Sequence, residues 1–169
     1  MPIRTPLSAA RQFLLQQLGL ESGVFVEKRD ARWNDCAVFS YRTEIKLSGH
    51  PNLVAVDGNL QARFMTEEEE RIFRLTCHNP YAVVREETVE DVMEENGVRR
   101  VKTIGYDMKG RVVDETIKRY YPDGREGHSS RIVNADGYWY GGFSDYLPDG
   151  TPSGGQFPLE KFDENAKEN

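Results

Sequence analysis

The sequence predicts a mainly β protein, an antiparallel meander with one amphipathic helix at its N-terminus. Three observations carry this reading. Gly97, Gly110, Gly124, Gly137 and Gly150 fall 13, 14, 13 and 13 residues apart, the length of one strand plus one tight turn. Each follows a polar or turn-favouring residue (Asn96, Lys109, Asp123, Asp136, Asp149), and such pairs supply the positive φ that hairpins require. The intervening segments are rich in β-branched and aromatic side chains.

In chain order, Ser8 is placed to cap a helix over 8–18, whose apolar residues Leu7, Ala10, Phe13, Leu14 and Leu18 recur at helical spacing before Gly19. Residues 23–28, 36–47, 52–56 and 60–65 read as strands separated by Asp/Asn/Gly clusters. Residues 66–77 are ambiguous. Thr66 and Glu69 form a capping box, and Glu67/Arg71 and Glu70/Arg74 are i,i+4 pairs, yet Ile72, Phe73, Leu75 and Cys77 would also serve a strand.

For 82–95, Thr88 and Asp91 imitate a helix start, but cross-strand matching favours a strand. Reversing the chain at Asn96-Gly97 sets Glu94 opposite Arg99, Asp91 opposite Lys102, Val92 opposite Val101 and Val89 opposite Ile104. Residues 1–162 read as a single domain and 163–169 as a flexible polar tail.

Continuing the pairing, Tyr106 beside Arg111 places Ile104 opposite Val113 and Lys102 opposite Glu115. Closing Pro122-Asp123-Gly124 with Tyr121 beside Arg125 puts Val113 opposite Val133 and Glu115 opposite Arg131. The next turn then brings Tyr138 to Val133 and Tyr140 to Arg131. One face thus carries an apolar row (Val89, Ile104, Val113, Val133, Tyr138) beside a row alternating in charge (Asp91, Lys102, Glu115, Arg131) and ending at Tyr140. Such a row either fixes strand pairing as an ion ladder or forms a polar strip that orients a ligand. In the second reading Arg131 and Lys102 attract an anionic group, and Tyr140 or Tyr120 hydrogen-bonds it. A one-residue slip would exchange the faces.

Aromatic residues concentrate in the same region. Tyr120, Tyr121, Tyr138, Trp139, Tyr140, Phe143 and Tyr146 are 7 of the 18 in the chain, too many at alternating positions for all to be core. Those facing outward, with Gly141-Gly142 allowing close approach, suit a pocket wall or an interaction patch.

Composition bounds the partners. The 169 residues are 38% apolar with a formal charge of -6, globular and ill-suited to general nucleic-acid binding. The sequence has no run long and apolar enough for a membrane span and no signal-peptide pattern at 1–20, which places the protein in the cytoplasm. Cys36 and Cys77 then read as small side chains rather than a disulfide. His50, His78 and His128 lack metal-ligand spacing, no Gly-x-Ser-x-Gly surrounds Ser129 or Ser130, and no glycine-rich phosphate motif is present. No cofactor or metal is expected, and no catalytic residue is assigned.

The expected architecture is a strongly curved sheet or an up-and-down barrel of the kind lipocalins show, an analogy of architecture alone. The expected function is non-enzymatic binding of a small amphipathic or anionic ligand. The rival is a protein-interaction module using an exposed aromatic face, with homodimerisation as one form of it.

Overall fold

A computed structural model describes residues 3–19, 24–43, 49 and 51–166. The chain is mainly β, with two antiparallel sheets and two helices. It divides into two compact units, residues 1–77 and 78–169, and each is described by itself.

In the first unit, helix α1 (Pro6–Leu18) begins earlier than the sequence suggests. Thr5, not Ser8, is the N-cap: its hydroxyl accepts from the Ser8 amide while the Ser8 hydroxyl accepts from the Thr5 amide. Ser8 is therefore the third helical residue of a capping box, and Pro6 occupies the first position, where its missing N–H costs nothing. Gly19 at φ 63° closes the helix, as expected.

Strands β1 (Val24–Trp33), β2 (Cys36–Thr43), β3 (Leu53–Val56) and β4 (Ala62–Phe64) form a four-stranded sheet in that order. The ends of the expected strands at 23 and 44–47 lie outside the described residues. Strand alternation sends Phe39, Val54 and Val56 into one core with Ala10 and Leu14 of α1. Val38, Leu53 and Ala55 enter a second core with Met65 and Phe73. Phe73 belongs to helix α2 (Glu67–Thr76), which resolves the ambiguous 66–77 segment in favour of the helix. Its capping box forms as the sequence predicts, Thr66 and Glu69 satisfying each other's amides.

Carboxylates join α2 to the sheet. Glu70, buried, accepts from the Asn52 and Leu53 amides at 2.7 and 2.9 Å. Glu69 takes both Arg63 guanidinium nitrogens at 2.7 and 2.8 Å. These bonds, and then the Thr66 amide, hold its carboxyl down at about 2.

The second unit is the meander: β5 (Arg85–Met93), β6 (Arg99–Tyr106), β7 (Val112–Tyr120), β8 (Glu126–Val133), β9 (Tyr138–Tyr146), β10 (Pro152–Gln156) and β11 (Glu160–Lys161). Residues 85–93 are a strand, as expected, although none of the four expected cross-strand partners forms. The path runs β10-β9-β8-β7-β6-β5, with β11 also on β9. No pair among the described residues joins β5 to β10, so the sheet is open and the barrel expectation is not met.

All five glycine turns use one geometry. The residue three before each glycine donates its amide to the carbonyl of the residue just after it: Glu94 to Val98, Asp107 to Arg111, Tyr121 to Arg125, Asn134 to Tyr138, Leu147 to Thr151. Each glycine stands at φ between 76 and 87° and donates back to the first residue. This is a three-residue loop ending in a left-handed glycine. Asp107 and Asn134 tighten theirs by accepting two loop amides on one side-chain oxygen.

This common loop corrects the expected register. The Tyr121/Arg125 closure is right, and Glu115 does pair with Arg131. The turn before β6 was read one residue too long, so Glu90 faces Lys102 and Asp91 faces Val101. The turn before β9 carries the same error, so Val133 faces Trp139 and Ile132 faces Tyr140. Between β6 and β7, a one-residue turn difference and an irregularity at Gly105/Tyr106 add up to two residues: Lys102 faces Ile117 and Ile104 faces Glu115. A shift of two keeps side chains on their face, and a shift of one exchanges them.

Gly141 enforces the closeness of β8 and β9. A Cβ there would lie 2.0 Å from the Ser130 carbonyl oxygen, which no other residue can accommodate. The end of the meander is held by a buried ion pair, Arg111 to Asp107 at 2.7 Å with side chains 5% and 0% exposed. Phe162, buried against Tyr81, Val113 and Val133, anchors the C-terminal segment. Glu164, within the expected tail, accepts from Tyr81 and Arg111.

Candidate functional site

Strand alternation and the observed pairing define one face of the meander. Lys102, Glu115, Ile117, Ser129, Arg131 and Trp139 stand on it. After β10 the chain continues along the edge of β9, the Phe157 amide donating to the Gly141 carbonyl and Glu160 pairing with Trp139, and residues 157–160 line one side of this face. Together they enclose an open-sided groove of about 580 Å³, within the range of small-molecule sites.

Arg131 is held there by three neighbours. Its Nε donates to Glu115 at 2.6 Å, its Nη1 lies 3.7 Å from Glu160, and its guanidinium carbon stands 4.5 Å from the Trp139 ring centroid. Carboxylate and indole together pre-orient the planar cation, which lowers the ordering cost of a further hydrogen bond. Lys102, on β6 with β7 between it and Arg131, lines the same groove and makes no ion pair among the described residues. Ile117, Phe157 and Leu159 supply apolar surface, and Phe157 stacks on Phe143 with ring centroids 5.9 Å apart. The groove thus combines two cations, one already matched to Glu115, with an aromatic and aliphatic wall. That chemistry accepts a group bearing negative charge and an apolar body.

Of the six residues expected at the site, Lys102, Glu115, Arg131 and Tyr140 line the groove, while Asp91 and Tyr120 do not. Asp91 sits on the opposite face because β5 is displaced by one residue. There it takes Arg99 through two hydrogen bonds of 2.8 and 2.6 Å, which hold its carboxyl below the ordinary aspartate range. Tyr120 pairs with Arg99 on that face too, its ring 5.8 Å from the guanidinium. Tyr140 also changes face, opposite Ile132, and reaches only the groove's border. The aromatic beside Arg131 is Trp139.

The row Val89, Ile104, Val113, Val133, Tyr138 is likewise revised. Val113 and Val133 are buried, but Val89 lies at the irregularity between Thr88 and Glu90 and, like Tyr138, is exposed. Phe157, Leu159 and Glu160 also line the groove and are not among the residues the sequence singles out. Their signal was faint: a Pro-flanked apolar pair following the glycine-rich β10.

Among the described residues no cluster of His, Cys, Asp and Glu is arranged to hold a metal, and no helix is long and apolar enough to cross a membrane. No protein-family model matches the chain, and no significant match is found among curated proteins or solved structures.

Proposed function

We propose that the meander unit is a non-enzymatic binding module for a small amphipathic anion. The ligand's negative group is held by Lys102 and Arg131, and its apolar part lies along Trp139, Phe157 and Leu159. The observation that supports this reading most is the convergence of Lys102, Glu115 and Arg131 on one groove with an aromatic wall. Glu115 positions Arg131, and Glu160, 3.7 Å from the same guanidinium, competes with a ligand carboxylate for it. A cytoplasmic setting belongs to the same proposal, supported by the free thiols of Cys36 and Cys77.

Calorimetric titration with octanoate, octan-1-ol and octylamine tests it. Octanoate is expected to bind saturably and octylamine not at all, and Arg131→Ala and Lys102→Ala each weaken octanoate by ~tenfold, the worth of one charge-assisted contact. Glu160→Gln should strengthen it. Absence of octanoate binding, or binding indifferent to both cation removals, overturns the reading.

The rival is a protein-interaction module. It draws on Leu159 at 70% exposure beside the partly exposed Phe143, Phe157 and Tyr140, an apolar patch of the kind that interfaces use. Under that reading Leu159→Asp abolishes self-association or partner capture while leaving octanoate without effect.

A further inference from the structure

The two faces of the β8–β9–β10 corner differ in chemistry. Behind the charged groove lies a second depression of about 800 Å³, and its polar lining contains no Lys, Arg, Asp or Glu. The register gathers it. His128 faces Ser144, Ser130 faces Gly142, and Gly142 faces Gln156 on the other side, so His128, Ser130, Ser144 and Gln156 share one face, with Tyr140 two residues along from Gly142.

None of these five side chains makes a hydrogen bond within the protein among the described residues. This contrasts with the surrounding sheet, where Asp91, Arg99, Glu115, Arg119, Arg131 and Asp145 are all ion-paired. At the centre of the depression stands Gly142, between Ser130 and Gln156 on this face, with the backbone of Gly141 and Gly155 beside it in the lining.

We propose that this depression binds a neutral polyhydroxylated ligand, a short saccharide. Hydroxyls and a carboxamide each present both a donor and an acceptor, and a sugar hydroxyl is likewise both. A charged ligand would find no counter-ion among the lining residues, Lys118 standing outside them across from His128, and a purely apolar one would strip water from uncommitted polar groups without replacing its hydrogen bonds. Gly142, with no side chain between Ser130 and Gln156, admits the flat edge of a pyranose close to the backbone. Tyr140, 47% exposed, offers an aromatic surface for its C–H face and a phenol for its hydroxyls. The site is independent of the anion groove in every group but Tyr140, Phe157 and Leu159, which border both.

The test is a titration of the ¹⁵N-labelled full chain with maltotriose, cellotriose and chitotriose, with octanoate and a neutral Gly/Ser peptide as separate arms. At least one trisaccharide is expected to shift the Ser130, Ser144 and Gln156 amides saturably while leaving Lys102 and Arg131 unmoved. Gln156→Ala and Ser130→Ala, both at accessible positions, should each weaken that binding by ~tenfold without altering the octanoate response. The inference is overturned if none of the trisaccharides shifts these amides, if the shifts fall on the charged groove, if both variants bind unchanged, or if only the peptide binds. A failure of octanoate alone leaves the saccharide result standing, so the two readings fail separately.

Discussion

The two units stabilise β-sheets by opposite means. In residues 1–77 a short sheet has apolar side chains on both faces: β3 is buried at all four positions, one set packing with α1 and the other with α2. In residues 78–169 a longer sheet buries few side chains, chiefly Val113, Val133, Tyr81 and Phe162 at one end. Elsewhere it relies on repeated turns, cross-strand ion pairs and cations over aromatic rings. A sheet covered on both sides has no surface left for a ligand, whereas one held by its turns and edges leaves its faces available. The candidate sites lie where the hydrophobic effect does least.

That contrast can be broken by substitution. Phe39→Ala, at a fully buried position of β2, should cost ~3–5 kcal/mol as transfer and cavity terms add, read as a fall in denaturant midpoint and as lost amide protection across β1–β4. The strongest counterpart in the meander is polar. Asp107→Ala leaves Arg111 buried without its main counter-charge and removes the acceptor for the Lys109 and Arg111 amides, for ~3 kcal/mol, seen as faster exchange in β6 and β7. If a buried valine of the meander such as Val113 proved far costlier to truncate than Asp107, the contrast would be wrong.

Acid separates the units further. Glu69 is held at about 2 by Arg63, below the 4.5 of a free glutamate. Its contribution is therefore present above about pH 4.5 and is lost as pH falls toward 2. Glu69→Gln should remove that part of the pH dependence and lower stability at neutral pH by ~1–3 kcal/mol, measured by urea unfolding at pH 7 and pH 3. The smallest effect belongs to the exposed edge: Val92→Ser in β5 should change stability by no more than ~0.5 kcal/mol, since Val92 is 46% exposed.

How far the residues announce all this depends on the kind of signal. The capping box at Thr66 and the glycine rhythm are local chemistry, and both appear where expected. Face assignment is not local, since it rides on a single residue of loop length. The closure at Tyr121/Arg125, with glycine one residue before its end, was legible. Applied to Glu94/Val98 and Asn134/Tyr138, the same rule puts Asp91 behind the sheet and Trp139 beside Arg131. The irregularities at Val89 and at Gly105/Tyr106 carry no such mark. Nor could sequence foresee that residues 157–160 run on along the edge of β9, because that path depends on Phe162 finding the cluster of Tyr81, Val113 and Val133. Lys102, Glu115 and Arg131 survived because the β6–β7 displacement is an even number of residues.

Trp139 offers the most direct measurement, since the chain has only two tryptophans and Trp33 lies in the first unit. In a Trp33→Phe background, octanoate should change Trp139 emission saturably by altering the guanidinium that covers its ring, and Arg131→Ala should abolish the response. Emission that never saturates, or that responds equally without Arg131, would contradict the assignment of this groove as an anion site.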